Sequence, residues 1–96
     1  MEIEYQNKKL EELVKDRKRM FRVLGQKRAT LVLRRIDDMS DASSAEQLKK
    51  LPGHYHELTG DRKGEWACSL DQPYRLIFII NDNVISIIEI VNYHGN

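Results

Sequence analysis

The sequence predicts an α+β fold in which an amino-terminal αα-hairpin packs on a twisted antiparallel β-sheet. Apolar residues recur at helical spacing in the first half of the chain, whereas in the second half they alternate or run continuously, as in strands. The turn segments between the strand candidates are so short that neighbouring strands are expected to be antiparallel. Helices and strands that are segregated along a chain are typical of α+β proteins. With 96 residues, the chain is expected to form a single domain over residues 1–96.

The first half is predicted to form a short edge strand followed by two helices. Ile3 and Tyr5 alternate with acidic residues, and Asn7 is suited to cap the helix that follows. The apolar stripe of that helix consists of Leu10, Leu13, Val14, Phe21 and Leu24. Gly25 predicts the end of the helix, because glycine adopts the left-handed closing conformation without strain. A second amphipathic helix is predicted from Gln26 to about Met39.

A brief helix and four strands are predicted after the hairpin. The dipeptide Ser43-Ser44 is followed by Glu46-Gln47, which is the pattern of a capping box, for a helix that continues through Lys50. The strand candidates are residues 54–58, 65–70, 74–80 and 84–91. The segments between these strands contain Gly, Asp, Asn and Pro, which favour turns.

Composition excludes several classes of protein. The chain is 41% hydrophobic and 32% charged, which is typical of a globular domain rather than a disordered or fibrous one. Its longest apolar run, Leu76 to Ile80, is far shorter than a membrane span, and the acidic residues directly after Met1 do not fit a secretion signal. The single Cys68 excludes a disulfide framework and a thiolate zinc site, and it is expected to be a small core residue. The sequence therefore predicts a soluble cytoplasmic protein.

Basic residues are concentrated in the hairpin. Lys8 to Arg35 contains eleven Lys or Arg against three acidic residues, a net charge of +8, whereas residues 36–96 carry a net charge of −5. Such a stripe is either a solvated helix face or a footprint for phosphate groups. The outer face of the hairpin is predicted to carry Lys18, Arg22, Lys27, Arg28, Arg34 and Arg35. The candidate contacts to the phosphate groups of an RNA are Arg22, Lys27, Arg28, Arg62 and Lys63.

The three histidines are the natural acid–base groups of the chain. His54 and His56 lie on the first long strand candidate, and His94 follows the last one. An imidazole has an ordinary pKa of about 6.5, so it can take or give a proton at neutral pH. With Arg75 and Tyr93, the histidines suffice for metal-free RNA cleavage, which needs a base for the 2′-hydroxyl, a cation for the phosphorane and an acid for the 5′-oxygen. The alternative interpretation is that these histidines are ordinary surface residues.

A metal site is the other possibility that the histidines raise. His54 and His56 share a strand face and could hold a metal ion together. No acid or cysteine stands at a suitable spacing to complete such a site. We therefore expect neither a metal nor a cofactor.

Arg75 has two interpretations. It precedes five consecutive apolar residues, and a strand that is apolar on both faces is normally covered. An arginine in such a strand must be paired or must face a cleft, because burial of an unpaired charge is costly. Arg75 is therefore either a salt-bridge partner of Glu65 or Glu89, or a clamp for a phosphate group.

Three segments of the second half resemble the motifs of one protein family. The first is Leu51-Pro52-Gly53 followed by His56 to Trp66, the second is Tyr74 to Phe78, and the third is Val91 to His94. The basic hairpin with its Gly25-Gln26-Lys27 break is similar to the amino-terminal half of the same family. On these motifs the chain resembles HigB-like toxins of the RelE/ParE superfamily, the plasmid-maintenance killer proteins of bacterial toxin–antitoxin pairs. The resemblance covers nearly the whole chain.

This resemblance implies a microbial-RNase-like α+β fold and a type II toxin that cleaves messenger RNA in the ribosomal A site without a metal. It implies that His56 and His94 are the acid–base groups. It also implies that Arg75 stabilises the phosphate and that Tyr93 is a positioning or stacking residue. The implied partners are the ribosome, messenger RNA and a HigA-like helix-turn-helix antitoxin.

Two positions depart from the family pattern. Asn92 belongs to the candidate catalytic segment but stands where the family usually has Asp, and an amide cannot accept a proton at neutral pH. Thr59 stands where many relatives have a lysine. Two rival interpretations therefore stay open. One is a ParE-like toxin of the same fold that inhibits DNA gyrase by binding, and the other is a small adaptor whose basic hairpin holds RNA without cutting it.

Overall fold

The computed structural model describes residues 1–93, and its helices and strands follow the predicted order. The strands are β1 (Glu2–Tyr5), β2 (His56–Glu57), β3 (Trp66–Ser69), β4 (Tyr74–Asn81) and β5 (Val84–Asn92). The α-helices are α1 (Lys8–Lys15), α2 (Arg17–Leu24), α3 (Gln26–Asp41) and α4 (Ala45–Lys49), and a 3₁₀ helix covers Gly60–Arg62. Helices packed on a sheet confirm the predicted α+β class.

The five strands form one mixed sheet in the order β1-β5-β4-β3-β2. The strands β2 to β5 pair with one another in antiparallel orientation, as the short turns predict. β1 is an edge strand as predicted, but it pairs with β5 in parallel, so the prediction of a purely antiparallel sheet is wrong. The long stretch of chain between β1 and β5 permits this parallel pairing, which a tight turn could not produce.

The first predicted helix is divided in two at Asp16. The Asp16 N–H donates to the carbonyl oxygens of Glu12 and Leu13 at 3.1 and 3.2 Å, and α1 ends there. The Asp16 carboxylate accepts the N–H of Arg19 at 3.2 Å, and α2 begins there. One aspartate therefore caps both helices, a role that its place in a highly charged stretch does not reveal.

The other predicted helix starts are confirmed by their hydrogen bonds. Asn7 Oδ1 accepts a backbone N–H in the first turn of α1 at 3.0 Å. Before α4, the Gln47 N–H donates to Ser44 Oγ at 3.2 Å. The Ser43 N–H donates in turn to the Gln47 side-chain oxygen at 2.6 Å. These reciprocal bonds are of the capping-box type.

The helices cover one face of the sheet, and the core lies between the two layers. Its buried side chains include Leu10, Met20, Ala29, Val32, Met39, Leu48, Trp66, Cys68, Leu76, Phe78, Ile85 and Ile87. The predicted core position of Cys68 is confirmed, and burial raises the pKa of its thiol to about 12. Trp66 is buried in the same core. Within residues 1–93, no helix combines the length and the apolar character that a membrane crossing requires.

Arg35 is buried, which corrects its predicted place on the outer face of the hairpin. Only 9% of the residue is exposed, and its Nε donates to the Ser69 carbonyl oxygen at 2.8 Å. The Arg35 carbonyl accepts the Tyr55 hydroxyl at 3.2 Å. Because an α-helix turns every 3.6 residues, Arg35 lies on the same side of α3 as the buried Val32 and Met39. Arg35 therefore ties α3 to the sheet.

Gly53→Ala is expected to destabilise the fold through this arginine. Gly53 has a φ of +122°, and a Cβ there would lie 2.7 Å from Arg35 Nε. Gly64→Ala is the matched control, because Gly64 has a φ of +97° but nothing lies within 4 Å of its Cβ position. Strained backbone costs about 1–3 kcal/mol at either position, and only Gly53→Ala adds the close contact. Thermal unfolding should show a larger drop in Tm for Gly53→Ala, and equal drops would contradict this role of Arg35.

Candidate active site

The face of the sheet that points away from the helices, here called the open face, carries both His56 and Arg75. Directly opposed residues on neighbouring strands share a face, and so do residues two apart on one strand. His56 is opposite Ala67, and Ala67 is opposite Ile77, which lies two residues from Arg75 on β4. The open face includes His56, Ala67, Ser69, Arg75, Ile77, Glu89 and Val91. Strand spacings put the Cα atoms of His56 and Arg75 roughly 12 Å apart, a gap that the two side chains can span towards one phosphate.

Arg75 packs against Tyr93. The Arg75 Cζ lies 4.6 Å from the centre of the Tyr93 ring. Tyr93 is held at the end of β5 by its N–H, which donates to the Pro73 carbonyl oxygen at 2.9 Å. The salt bridge from Arg75 to Glu65 or Glu89 is not formed, because no carboxylate within residues 1–93 pairs with Arg75. The Arg75 guanidinium therefore keeps its positive charge without an ion-pair partner from this part of the chain.

Arg62 binds both of those carboxylates instead. Its Nε donates to Glu65 Oε1 and its Nη2 donates to Glu89 Oε2, each at 2.7 Å. Glu65 adjoins β3 and Glu89 lies on β5, so the Arg62 side chain crosses above β4, the strand between them. On the open face of β4, Ile77 is fully buried. The bonds to Glu89 and Glu65 raise the pKa of Arg62. Arg62 is therefore engaged within the molecule, whereas its neighbour Lys63 is exposed.

His56 is oriented as a proton acceptor. Its Nδ1 lies 2.8 Å from the His54 carbonyl oxygen. A carbonyl oxygen only accepts hydrogen bonds, so Nδ1 carries the hydrogen and Nε2 of the neutral ring presents its lone pair. The two imidazole rings are 4.3 Å apart between centroids, and His54 has a φ of 54°, which is uncommon for a residue other than glycine. In the part of the chain that the structure describes, no group of three or more His, Cys, Asp or Glu could hold a metal ion.

The closing segment is divided between the two faces of the sheet. Asn92 is exposed and stands opposite Tyr74, whereas Arg75 stands opposite Val91. Because successive strand residues alternate between faces, Asn92 does not share the open face with Arg75. Tyr93, the next residue, contacts Arg75. His94, the predicted second acid–base group, lies outside the described residues.

The basic residues of the hairpin do not all lie on its outer face. Arg22 and Lys27 are exposed, as predicted. Arg28 is half-buried, and its Nε and Nη2 donate to the two carboxylate oxygens of Asp71, each at 3.0 Å. The Arg28 Cζ also lies 3.4 Å from the centre of the Tyr74 ring. Arg28 is therefore bound to the segment before β4, which corrects its predicted place among the outer basic residues.

Sequence reasoning misses the acidic partners of these arginines. Glu65 and Glu89 bind Arg62, and Asp71 binds Arg28. The Arg62–Glu65 contact spans three residues and could be found from local spacing, but the contacts to Glu89 and Asp71 span 27 and 43 residues. Partners that are so distant in sequence are identified only once the strand order and register are known.

The chain has the fold of bacterial toxins of the YoeB type. A chain of the YoeB-YefM complex from Staphylococcus aureus matches with a TM-score of 0.67 and 16% identity, over 98% of this chain and 97% of that chain. The YoeB dimer from Staphylococcus aureus matches with a TM-score of 0.66 and 17% identity, over 98% and 97% of the two chains. The YoeB/ParE toxin from Agrobacterium tumefaciens matches with a TM-score of 0.59 and 13% identity, over 98% of this chain and 100% of that chain.

Sequence comparison adds no relative to these structures. No protein-family model matches the chain, and a search of the curated proteins finds no match. At identities of 13–17%, the structural likeness concerns the fold alone. It confirms the predicted RelE/ParE-like α+β fold.

Proposed function

We propose that the protein is the toxin of a type II toxin–antitoxin system, a HigB-like endoribonuclease that cleaves messenger RNA on the ribosome. The observation that carries this proposal is the setting of Arg75. It shares the open face with His56, it packs against Tyr93, and no carboxylate of residues 1–93 pairs with it. The fold that the chain has in common with YoeB toxins supports the proposal. The proposed partners are the ribosome, messenger RNA and a HigA-like helix-turn-helix antitoxin.

In the proposed reaction, the 2′-hydroxyl of the RNA attacks the adjacent phosphorus. His56 Nε2 takes the proton of the hydroxyl, because the contact with His54 places the ring hydrogen on Nδ1. Arg75 donates two hydrogen bonds to the phosphorane oxygens, and Tyr93 restricts the plane of its guanidinium. His94 gives a proton to the departing 5′-oxygen. The products are a 2′,3′-cyclic phosphate end and a 5′-hydroxyl end.

A histidine is the better base because the nearby alternatives are unsuitable. The Asn92 amide cannot accept a proton at neutral pH, and the strand register turns it away from the open face. Glu89 does lie on the open face, but its carboxylate is bound to Arg62 at 2.7 Å. Protonation of Glu89 would break this ion pair. Transfer of a proton to His56 Nε2 breaks no ion pair among residues 1–93.

The ribosome is proposed to position the RNA. His56, Arg75 and Tyr93 are half-buried on a sheet face that the helices do not cover. Such a face offers few contacts that could orient a flexible strand. Positioning of reacting groups can supply about 7–11 kcal/mol of the barrier reduction. Messenger RNA on ribosomes should therefore be cleaved much faster than free RNA.

A second candidate function is inhibition of DNA gyrase by binding, as in ParE-like toxins. Asn92 in place of Asp and Thr59 in place of lysine both support it, because each substitution removes a charged group that catalysis could use. A third candidate is an adaptor that holds RNA without cutting it. The exposed Arg22 and Lys27 support this third candidate.

Primer extension after induced expression separates the three candidates. The nuclease should arrest growth and produce breaks at defined positions of translated messages, and co-expression of the cognate antitoxin should suppress both effects. A gyrase inhibitor should produce gyrase-trapped DNA breaks with intact messages, and an adaptor should produce neither kind of break. Strains that express Arg75→Ala are the matched control. Message breaks that persist with this variant would not depend on Arg75.

Neutralisation of Arg22 and Lys27 is expected to weaken ribosome binding and to flatten its salt dependence. Both side chains are exposed, so their substitution by Gln should not affect the core. If each contacts one phosphate, the slope of log K against log salt should fall by roughly 1.5. The control is Lys49→Gln with Lys50→Gln at the end of α4, which changes the net charge equally and should leave the slope unchanged. An unchanged slope for the Arg22 and Lys27 variant would show that the basic stripe of the hairpin is a solvated surface.

A further inference from the structure

A half-buried ion pair connects α3 to the turn that precedes β4. The Arg28 guanidinium binds both Asp71 oxygens at 3.0 Å, and the side chains of Arg28 and Asp71 are only 22% and 17% exposed. The bonds from Arg28 lower the pKa of the Asp71 carboxyl, so the pair is ionised at neutral pH. A half-buried bidentate pair of this kind holds its partners in one geometry, unlike a single-point contact at the surface.

The turn that Asp71 begins also holds Tyr93. The Tyr74 N–H donates to the Asp71 carbonyl oxygen at 2.7 Å, and the Leu70 N–H donates to the Tyr74 carbonyl oxygen at 3.0 Å. These bonds determine the path of the chain between Asp71 and Tyr74. Pro73 lies on that path, and its carbonyl oxygen accepts the Tyr93 N–H at 2.9 Å. The position of Asp71 therefore determines where Tyr93 is anchored.

The contacts that start at the Arg28–Asp71 ion pair reach Arg75 from two sides. The preceding residue, Tyr74, has its ring 3.4 Å from the Arg28 Cζ, measured to the ring centre. The Tyr93 ring lies 4.6 Å from the Arg75 Cζ. Arg28 thus contacts Tyr74, the residue before Arg75, directly. Through Asp71 and Pro73 it also fixes the position of Tyr93, whose ring packs on the Arg75 guanidinium.

We infer that Arg28 is a positioning residue, which orients Arg75 and Tyr93 through Asp71 and the turn, and that it is not an RNA contact. Its Nε and Nη2 are bonded to Asp71, and one face of its guanidinium lies on Tyr74. The inference rests on the proposed function where activity is measured. The contacts themselves can be tested on the purified protein alone.

Two variants that change the net charge in opposite directions distinguish a positioning role of Arg28 from an RNA contact. Arg28→Met removes a positive charge and Asp71→Asn removes a negative charge, but both break the ion pair. If Arg28 contacted RNA, Arg28→Met would weaken RNA binding, whereas Asp71→Asn would leave it unchanged or strengthen it. If Arg28 positions the site, both variants should lower kcat about 10-fold to 100-fold without raising KM. The double variant should then be no slower than the slower single variant, because the two substitutions remove the same interaction.

Hydrogen exchange of the Tyr93 amide supplies the readout that does not depend on activity. Measured by NMR on the purified full chain, this amide should exchange at least about tenfold faster in both variants, because its bond to Pro73 depends on the turn. Ser44→Ala is the control: it removes the cap of α4 and should leave Tyr93 exchange and kcat unchanged. If Arg28→Met does not fold, Asp71→Asn gives the same test with the smaller change.

The outcomes of these measurements are separable. Opposite effects of the two variants on RNA binding, or unchanged Tyr93 exchange in both, would overturn the positioning role. Equal acceleration in Ser44→Ala would also overturn it, because the effect would then be a general loss of stability. If the wild-type chain shows no cleavage, the proposed function fails, while the exchange rates still decide whether Arg28 controls Tyr93.

Discussion

Replacement of Arg75 by alanine is expected to lower kcat for cleavage of ribosome-bound message by on the order of 10²–10³. The guanidinium is the cation proposed to stabilise the phosphorane, and no carboxylate of residues 1–93 offsets its charge. The Tm should hardly change, because Arg75 is half-buried and its described side-chain contact is with the Tyr93 ring. Time courses with programmed ribosomes and thermal unfolding would measure the two quantities on the same preparation.

The variant Arg75→Lys separates the effect of the positive charge at this position from that of the planar guanidinium. Lysine keeps the positive charge but cannot donate two parallel hydrogen bonds or lie flat against Tyr93, so an intermediate rate is expected. Arg34→Ala is the matched control, since Arg34 is an exposed arginine on α3 and its loss should leave kcat unchanged. Cleavage by Arg75→Ala at the rate of the parent would exclude Arg75 from catalysis.

Removal of residues 94–96, or His94→Ala alone, is expected to lower the cleavage rate by about 10²–10⁴, the usual effect of losing a general acid–base group. β5 pairs with β4 as far as Asn92 opposite Tyr74, and Tyr93 is anchored to Pro73. The described pairs of β5 and the anchor of Tyr93 join residues within 1–93. The Tm of the shortened chain should therefore stay close to that of the parent.

Asn96→Ala is the control for this terminal change and should leave both the rate and the Tm unaltered. A shortened protein that cleaves message at the parental rate would show that His94 is not the acid. A shortened protein that unfolds would make the carboxyl terminus structural. In that case the site would consist of His56, Arg75 and Tyr93.

Local signals predict most of the fold. Asn7 and Ser44 cap helices because a side-chain oxygen can reach nearby backbone N–H groups, and this depends on a few neighbouring residues only. Asp16 follows the same rule but stands within a charged helical pattern, so its double cap is not evident. The parallel pairing of β1 with β5 joins the two ends of the chain, and no local pattern determines it.

The candidate site, like the fold, depends partly on local signals and partly on contacts between residues that are distant in sequence. Strand alternation is a local signal, and within β4 it places Arg75 on the opposite face from the core residue Leu76. The choice of ion-pair partners is not local, because several arginines and several carboxylates compete. Arg62 rather than Arg75 binds Glu65 and Glu89, and Arg62 reaches them from the 3₁₀ helix that precedes β3.

The most direct measurement compares cleavage of one message, free and on translating ribosomes, by the purified protein. Primer extension should show breaks at defined codons on ribosomes, at a rate far above that on free RNA, and Arg75→Ala should remove them. Intact message on ribosomes, together with growth arrest by the same protein, would contradict ribosome-dependent cleavage, above all if gyrase-trapped DNA breaks appear instead.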